Sequence, residues 1–447
     1  MLSENGGYEM ITTTPTNRAM REVAEMNAPD IPPRSTALEC VTLRSFAEIE
    51  SIREVWSRFH QHPHADLDFF RLVAETTDGA IRPHVFVVRS GEAIRAILVG
   101  RVEMRRIDVR SGYLHMPAPR IRTLTMIHGG LLGNPSAKEC ELLADGVMTS
   151  LKKKEYYSVY FNHLDHDSPL YHAIRSRTPR MMLDFCPVVE EHWYLTLTET
   201  FDEFLKMRVS KHYRWRIRQK RNRFHKVAVG QVEVDLTTRP EEVDQTATDI
   251  EVIAAKGYLR ALGAGFKDSP NERQRLKHKA ERGKLLIVTL RVGGSAWAYT
   301  IGTASQGVLY LDYTGYDPQY KACSPGNYLL MHLIEKLCDD KLFEVQAIDF
   351  GTGDAQYKEG ICDRRREDIS FWIFPGTPAG VALNTYRTIL NLANVSAKKL
   401  LGKEVQGRVK KKWRDLMRSD KSAEKASLPG GVPSKGETER DATAETD

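Results

Sequence analysis

Apolar positions along the chain form short runs and alternating patterns that predict β-strands, and these patterns come in two similar series. In the first series, Val85–Val88 and Ala93–Val102 flank Ser90-Gly91 and predict a hairpin. A helix is predicted to start at Asn134-Pro135, and Tyr157–Phe161 predicts the strand that follows it. The predicted helix has one apolar face, formed by Cys140, Leu143, Ala144, Val147 and Leu151.

The second series repeats this order. Leu285–Arg291 and Ala296–Ile301 predict another hairpin, and Val308–Tyr313 predicts a further strand. Ser324-Pro325 starts a helix with an apolar i, i+3, i+4, i+7 face, and Val345–Phe350 predicts the strand after it. The helix starts and the following strands of the two series lie about 190 residues apart, as expected of a tandem duplication. The sequence therefore predicts two mixed α/β domains in tandem.

Two helices are predicted before the second hairpin. Ser269-Pro270-Asn271-Glu272 is a capping-box sequence with proline at the first helical position, and it starts a helix that is predicted to end near Gly283. An earlier helix is predicted over Glu241–Leu262.

A strongly cationic helix is predicted between the two series. It begins at a capping box, Thr200–Glu203, and carries ten Lys and Arg residues and no acid from Lys206 to Lys226. Like charges one turn apart oppose helix formation unless the apolar stripe packs or an anion neutralises the cationic face. Three interpretations stay open: a solvated inter-domain helix, a surface for an anionic substrate or carrier, and a nucleic-acid contact. The apolar stripe consists of Leu205, Val209, Tyr213, Ile217 and Phe224.

Charge and cysteine content narrow the choice of partners. The 447 residues carry a net charge of +6, which permits an anionic ligand such as coenzyme A but does not require one. The six cysteines show no metal-ligand spacing, so we expect reduced thiols and no metal. The sequence has neither a signal-peptide pattern nor an apolar run long enough to span a bilayer, and we expect a cytoplasmic protein.

These patterns divide the chain into six segments. A second basic segment, Lys398–Arg418, is either a solvated helix or a peripheral contact with a membrane or a partner. The polar ends of the chain are predicted to be disordered. The predicted segments are a disordered arm (1–38), an N-terminal domain (39–195), a basic linking helix (196–228), a C-terminal domain (229–376), a basic helical extension (377–418) and a disordered tail (419–447).

A candidate site is indicated where the second predicted helix starts. Ser324 is predicted to be the N-cap, and Gly326 leaves the first turn open, so a phosphate can approach the free N–H groups of Ser324–Asn327. The strand that follows ends in a loop, Asp349–Lys358, that contains two carboxylates, a phenol and an amine. Helix caps and turns explain the separate parts equally well. The order of strand, capped helix, strand and polar glycine-containing loop favours a site.

The motifs Ser324-Pro325-Gly326 and Asp349-Phe350-Gly351-x-Gly353-Asp354-x-x-Tyr357-Lys358 resemble those of a known family. The chain is similar to CelD-like, BioF-type acetyltransferases of the GNAT superfamily, most clearly over residues 200–375. The resemblance implies a double GNAT-like fold, shared in outline with Fem-type aminoacyl transferases. It also implies an acyl-CoA donor, with acetyl-CoA expected, and an amine acceptor such as a sugar or cell-envelope precursor. Lys321–Gly326 matches the usual GNAT pyrophosphate loop only in part.

Direct acyl transfer assigns roles to these residues. Asp349 or Asp354 is the expected base, because a carboxylate at a partly buried strand end can have a raised pKa. Tyr357, or alternatively Tyr313, is the expected proton donor to the leaving thiolate. Cys323 is either an acyl-enzyme nucleophile or, more simply, a buried bystander thiol. The remaining predicted contacts are the coenzyme with Ser324, Gly326 and Asn327, and the substrate with Lys358, Lys211, Arg214 and Arg218.

Two other functional classes remain open from the sequence. An aminoacyl-tRNA-dependent transferase of the Fem type would use the basic helix to bind RNA, although nucleic acid is the less expected partner. A non-catalytic binding protein of a polysaccharide biosynthesis cluster would keep the fold without binding coenzyme A.

Overall fold

The structure is a computed structural model that describes residues 37–107, 110–111, 114–257, 260, 265–353 and 356–400. The predicted arm up to residue 36, residues 401–418 of the basic extension and the predicted tail lie outside these ranges. The strands are β1 (Leu38–Leu43), β2 (Ala80–Ser90), β3 (Ala93–Arg106), β4 (Arg110–Ser111), β5 (Leu114–His115), β6 (Arg120–Leu132), β7 (Ser158–Asp165), β8 (Val188–Thr196), β9 (Val232–Thr237), β10 (Leu285–Val292), β11 (Ser295–Ser305), β12 (Val308–Tyr316), β13 (Ala347–Thr352) and β14 (Arg364–Ile373).

Helices precede and connect these strands. They are α1 (Phe46–Glu50), α2 (Arg53–Phe59), α3 (Leu67–Thr76), α4 (Ala137–Lys152), α5 (Pro169–Arg177), α6 (Phe201–Met207), α7 (Lys211–Val227), α8 (Val243–Ala254), α9 (Pro270–Glu281), α10 (Pro325–Asp339), α11 (Gln356–Glu359) and α12 (Pro378–Leu400). Within the described ranges, no helix combines the length and the apolar character needed to cross a bilayer.

One mixed sheet of twelve strands, in the order β1-β2-β3-β6-β7-β14-β8-β13-β12-β11-β10-β9, runs through both halves of the chain. In the first half, β1, β2, β3 and β6 are antiparallel neighbours, and β7 joins β6 in parallel after α4. In the second half, β9 to β12 are antiparallel and β13 joins β12 in parallel after α10. The same connectivity therefore occurs twice, which confirms the predicted tandem α/β arrangement. The segment boundaries given above stay a prediction.

The two halves exchange a strand at the centre of this sheet. β8 follows the first half but pairs with β13 of the second, whereas β14 follows the second half and pairs with β7 of the first. β8 and β14 also pair with each other, which joins the halves into one sheet. Each half is thus completed by a strand from the other.

Helices cover both faces of the sheet in each half, so many strand residues lie in an apolar layer on one side or the other. In β2, Val85 and Val87 pack with α1, α2 and α3, while Phe86 and Val88 pack with α4 and α5. In the second half, α6, α7 and α10 cover one face and α8 and α9 the other. Strands buried on both sides produce the continuous apolar runs seen in the sequence.

The basic segment between the halves is two helices, α6 and α7, and not the one continuous helix that the stripe predicts. The Thr200 capping box starts α6 as expected, but Ser210 caps a new helix by accepting a hydrogen bond from the Tyr213 N–H. The apolar stripe of α7 packs as required, with Phe224 stacked on Tyr328 of α10 at 4.0 Å between ring centroids. Docking of this stripe offsets the charge repulsion along the helix.

Two other helix starts and ends differ from their predictions. Ser136 forms the capping box of α4 with Glu139, so that helix begins two residues later than Asn134-Pro135 indicates. The helix predicted over Glu241–Leu262 is α8, which ends at Ala254.

Candidate active site

The site is formed where two pairs of parallel strands part. β12 and β13 pair from Val308–Ala347 to Tyr310–Asp349 and then separate. β6 and β7 pair as far as Met126–Phe161 before they separate in the same way. Side chains at or just beyond the two partings, including Asp349 and His128, line one cavity of about 480 Å³. The tandem fold thus directs the corresponding strand ends of both halves into a common space.

A chain of three ionisable side chains begins at the cavity wall and continues into the sheet. Asp349 of β13 lines the cavity, and its Oδ1 lies 2.6 Å from Nε2 of His192 on β8. His192 Nδ1 lies 2.5 Å from Oδ2 of Asp368 on β14. The exchange of β8 and β14 brings these three strands side by side. Asp349 also accepts a hydrogen bond from the Gly351 N–H at 2.7 Å, which fixes the orientation of its carboxylate.

Charges alternate along this chain. Burial lowers the pKa of His192, but its hydrogen bonds to Asp349 and Asp368 outweigh burial, and the net effect is a raised pKa. Burial raises the pKa of Asp368, whereas His192 and Arg366 lower it by more, so the net pKa is below its usual value. The Arg366 Nε donates to Asp368 Oδ1 at 2.8 Å. An imidazolium that donates from both nitrogens therefore lies between two carboxylates, with a guanidinium behind the deeper one.

Three of the histidines that line the cavity lie close together near this chain. His62 is the N-cap of the short 3₁₀ helix Pro63–Ala65, His64 is the middle residue of that helix, and His128 follows the parting of β6. The His62 ring lies 4.3 Å from the His128 ring and 4.7 Å from the His64 ring, between centroids. His62 packs this closely because Gly129, at φ +69°, has no Cβ, which would otherwise lie 2.3 Å from the His62 Cβ.

These histidines are held in the neutral form. Burial is the main reason that the pKa values of His62 and His128 lie well below 6.5, and neighbouring histidines lower them further. Burial also lowers the pKa of His64 to about 4. Sequence reasoning missed all four histidines of the site. Only the close spacing in His60-x-His62-x-His64 offers a local signal, because His128 and His192 lie far apart in the chain.

The cavity also contains paired charges from the second half. Lys279 donates to Asp312 Oδ2 at 3.0 Å, and the Thr303 hydroxyl donates to the same oxygen at 2.6 Å. Burial raises the pKa of Glu272, which lines the cavity beside Arg275. The lining thus offers both carboxylates and cationic groups to a ligand.

The predicted coenzyme residues do lie at the start of α10, but Ser324 does not cap the helix with its side chain. Its backbone is left-handed, at φ 55° and ψ 54°, and its hydroxyl makes no capping bond. The Ser324 carbonyl instead accepts the N–H groups of Asn327 and Tyr328 at 3.1 and 3.2 Å. Gly326 faces Tyr316, whose Cδ1 would lie 3.4 Å from an added Cβ. Ser324 is therefore the N-cap residue as predicted, but it lacks the side-chain bond that a capping serine usually makes. The coenzyme role of Ser324, Gly326 and Asn327 stays a prediction.

The residues of the predicted Asp349–Lys358 loop have different surroundings. Asp349 lines the cavity, whereas Asp354 lies outside the described residues. Tyr357 is half-buried against the core between α7 and α10, and the described lining of the cavity does not include it. Tyr313, the alternative proton donor, does line the cavity, and burial raises its pKa.

Lys358 is buried, and its ammonium donates to the backbone carbonyls of residues 350–353 at distances from 3.0 to 3.3 Å. Through these contacts the Lys358 ammonium holds the strand-end loop in place. Substrate binding by Lys358 stays a prediction without support from its contacts.

Of the cations predicted to bind substrate on the basic helix, Arg214 is used within the protein. Its Nη1 donates to the carbonyls of Leu205, Lys206 and Val209 and so closes the end of α6. Lys211 and Arg218 are exposed. The Cys323 thiol is buried and donates to the Tyr320 carbonyl at 3.1 Å, which favours the bystander interpretation.

Residues 211–359 match the family model described as an acetyltransferase (GNAT) domain. The matched segment extends from α7 to the end of α11 and includes the start of α10 and Asp349. This segment of the second half is therefore similar to a GNAT acetyltransferase domain. The narrower resemblance to CelD-like, BioF-type enzymes stays a prediction. The search for similar curated proteins found no match.

Several solved structures have a similar chain path. FemX has a TM-score of 0.48 and 9% identity, covering 75% of this chain and 98% of that chain. A tandem GNAT protein from the clavulanic acid biosynthesis pathway has a TM-score of 0.44 and 13% identity, covering 76% of this chain and 99% of that chain. L-PGS from Bacillus licheniformis has a TM-score of 0.43 and 13% identity, covering 76% of this chain and 96% of that chain. Because these TM-scores are below 0.5, the structural similarity carries no argument about the activity of this protein.

Proposed function

We propose that the protein is an N-acyltransferase that moves an acyl group, with acetyl the expected one, from acyl-CoA to an amine acceptor. One observation carries the proposal: Asp349 lies on the cavity wall at the point where β12 and β13 part, and His192 and Asp368 support it from behind. A carboxylate held in this position can bind an ammonium group and remove its proton.

The start of α10 is the proposed binding site for the coenzyme phosphates. The Asn327 N–H is bonded to the Ser324 carbonyl and Pro325 has no N–H, so the Gly326 N–H and the partial positive charge of the helix start are the groups proposed to attract the anion. The cationic helix α7 packs beside it, and the Arg223 Nη1 lies 3.5 Å from the Ala322 carbonyl, close to this helix start. The start of α10 follows β12, on the side of the parallel pair where β12 and β13 part, so a coenzyme bound there can extend its thioester between these strands towards Asp349.

The cavity is the proposed binding site for the acceptor. Its carboxylates, Asp312 and Asp349, suit an ammonium group, and its cations, such as Arg101 and Arg275, suit an anionic group. This combination fits an amine that also carries a negative charge, as many sugar and cell-envelope precursors do. The chemical class of the acceptor is proposed separately from the type of reaction.

The proposed reaction needs only the residues on the cavity wall. Asp349 accepts a proton from the acceptor ammonium, and the neutral amine nitrogen attacks the thioester carbonyl. The carbon–nitrogen bond forms in this attack, and collapse of the tetrahedral intermediate breaks the carbon–sulfur bond. The second proton of the amine nitrogen passes, through water or Tyr313, to the departing thiolate, which leaves as the coenzyme thiol. His192 holds Asp349 in place and is a positioning residue.

Asp349→Asn tests this assignment, with Asp340→Asn on the exposed end of α10 as the matched control. Release of free coenzyme A thiol from acetyl-CoA is measured with a panel of amines. We expect Asp349→Asn to lower kcat on the order of 10²-fold or more at neutral pH, with a smaller loss at high pH where the amine is already deprotonated. Asp340→Asn should leave the rate unchanged. Full activity of Asp349→Asn would show that a group other than Asp349 acts as the base. Absence of coenzyme A binding by calorimetry would refute acyl-CoA dependence.

The exposed cationic surface of α7 favours one second candidate, transfer from an aminoacyl-tRNA. In that case RNA binding should weaken steeply with salt, because each phosphate contact releases counterions. Wild-type protein that binds tRNA in this way and does not bind coenzyme A would support the second candidate over the first.

A further inference from the structure

Three histidines form a compact group of nitrogen atoms on the cavity wall. His62, His64 and His128 each offer a ring nitrogen, and these atoms lie within 4.8 Å of one another. The His64 side chain is 42% exposed although it lies deep in the protein, because it faces the cavity. The group belongs to the first half and the loop before α3, so the acyl-transfer reaction proposed above does not use it.

The ring nitrogens of these three histidines make few hydrogen bonds within the described part of the protein, so they can bind a ligand. Among the described residues, no acceptor lies within hydrogen-bond distance of a ring nitrogen of His64 or His128. The nearest carboxylate oxygens are Asp312 Oδ1, 3.9 Å from His64 Nε2, and Asp368 Oδ2, 4.0 Å from His128 Nε2. His62 Nδ1 accepts one long hydrogen bond, from the His64 N–H at 3.2 Å.

We propose that His62, His64 and His128 bind a divalent transition-metal ion, Zn²⁺ in the first place, on the wall of this cavity. Three neutral imidazoles are a common protein ligand set for zinc, and such a set leaves a fourth position open. With metal–nitrogen distances of about 2.1 Å, tetrahedral ligand atoms lie roughly 3.4 Å apart. The ligand atoms lie within 4.8 Å of one another, so they must approach by up to about 1.4 Å to hold the ion. Binding through His62 Nε2 moves the ring proton to Nδ1 and gives up the long bond to His64.

The surrounding carboxylates suit this assignment. A histidine that binds a metal usually donates its other ring N–H to a carboxylate or carbonyl oxygen. Asp312 and Asp368 are placed to accept from Nε2 of His64 and His128, at 3.9 and 4.0 Å, when these two rings bind the metal through Nδ1. Lys279 already balances Asp312, and Arg366 balances Asp368.

A second set of possible ligands, His128, His192 and Asp368, lies beside the first. His192 and Asp368 are already bonded to each other at 2.5 Å, and His192 is also bonded to Asp349. A metal ion here would have to break both contacts and displace the proton between them. Metal binding by His62, His64 and His128 breaks no hydrogen bond to a carboxylate and gives up only the long bond between His62 and His64.

Titration with metal ions tests the proposed site directly, and its result does not depend on whether the protein catalyses acyl transfer. Full-length protein is freed of metal with a chelator and titrated with Zn²⁺ by calorimetry, and with Co²⁺ by visible absorption. We expect one ion per chain and intense cobalt d–d bands from four-coordinate geometry. His62→Asn, His64→Asn and His128→Asn should each weaken Zn²⁺ binding at least 100-fold. The exposed His172→Asn is the matched control and should bind as wild type does.

Unfolding curves of the metal-free variants show whether each one folds. A variant that folds like wild type but binds zinc 100-fold more weakly supports the site. The proposal is overturned if wild type takes up no stoichiometric ion, or if only His128→Asn loses binding while His62→Asn and His64→Asn keep it. The latter result would assign the ion to the second set.

Discussion

Replacing Lys358 with methionine is expected to destabilise the protein by about 3 kcal/mol, because the ammonium holds the strand-end loop from inside. Its Nζ lies 3.1, 3.3, 3.2 and 3.0 Å from the carbonyl oxygens of Phe350, Gly351, Thr352 and Gly353. An ammonium has three N–H donors, so three of these contacts can be full hydrogen bonds at one time. Methionine keeps most of the apolar stem and removes the donors.

The magnitude follows from these contacts. Hydrogen bonds to a charged group contribute about 1.5 to 3 kcal/mol each, so three contribute roughly 5 to 9 kcal/mol. Burial of the ammonium offsets several kcal/mol of that sum. Gly351, Thr352 and Gly353 are only half-buried, so water can reach their carbonyls after the substitution. After these two reductions, a net loss of about 3 kcal/mol is expected.

Urea unfolding followed by tryptophan fluorescence measures this loss. Lys341→Met is the matched control, because the Lys341 ammonium bonds to Glu199 but is 52% exposed. An exposed ion pair contributes about 1 kcal/mol or less. The reasoning fails if Lys358→Met unfolds at the wild-type urea concentration. An unchanged midpoint together with a raised KM for the acceptor would restore the substrate-binding role that the sequence predicts for this lysine.

Two further predictions concern the coenzyme and the effect of acid. Gly326→Ala should retain coenzyme A binding because the new Cβ meets Tyr316 at an ordinary 3.4 Å, whereas Gly326→Leu should raise Kd about tenfold or more by filling the first turn of α10. Calorimetry with coenzyme A measures both, and equal affinities would place the coenzyme elsewhere. The hydrogen bond from Arg44 is the main cause that lowers the pKa of Glu155 from 4.5 to about 2, so this carboxylate stabilises the fold above pH 4.5 and loses that effect as the pH falls towards 2. Glu155→Gln should therefore destabilise the protein by about 1 kcal/mol at pH 7 and by much less at pH 3; an equal loss at both pH values in urea unfolding would contradict this reasoning.

Local patterns were sufficient for the elements that form from neighbouring residues. The hairpins around Ser90-Gly91 and Gly293-Gly294 follow from adjacent apolar runs and a turn, and the structure has both. The break between α6 and α7 was missed because the apolar stripe continues in register across Arg208–Ser210 while the backbone does not. The unusual backbone of Ser324 was missed for a similar reason, because a Ser-Pro sequence favours a side-chain cap whatever the incoming direction of the chain.

The candidate site could be predicted only where one segment supplies it. Asp349 was found because it ends a strand next to a polar loop. Its partner His192 lies 157 residues away in sequence, and Asp368 lies 176 residues from His192. No local spacing connects such residues, since only the exchange of β8 and β14 brings them together. Lys358 was also chosen from its neighbours in sequence, whereas its carbonyl contacts turn the ammonium inward, so its role in substrate binding stays a prediction.

The strand exchange also affects how the chain can fold while it is being made. The edge of β7 is ready once Asp165 has left the ribosome, but its neighbour β14 is completed about 200 residues later, on the order of 10 to 40 s at ordinary synthesis rates. During this interval the nascent first half has an unpaired strand edge, which can pair with a neighbouring nascent chain. Cutting the gene between the halves would make this state permanent in both fragments, so the halves are expected to depend on each other for solubility.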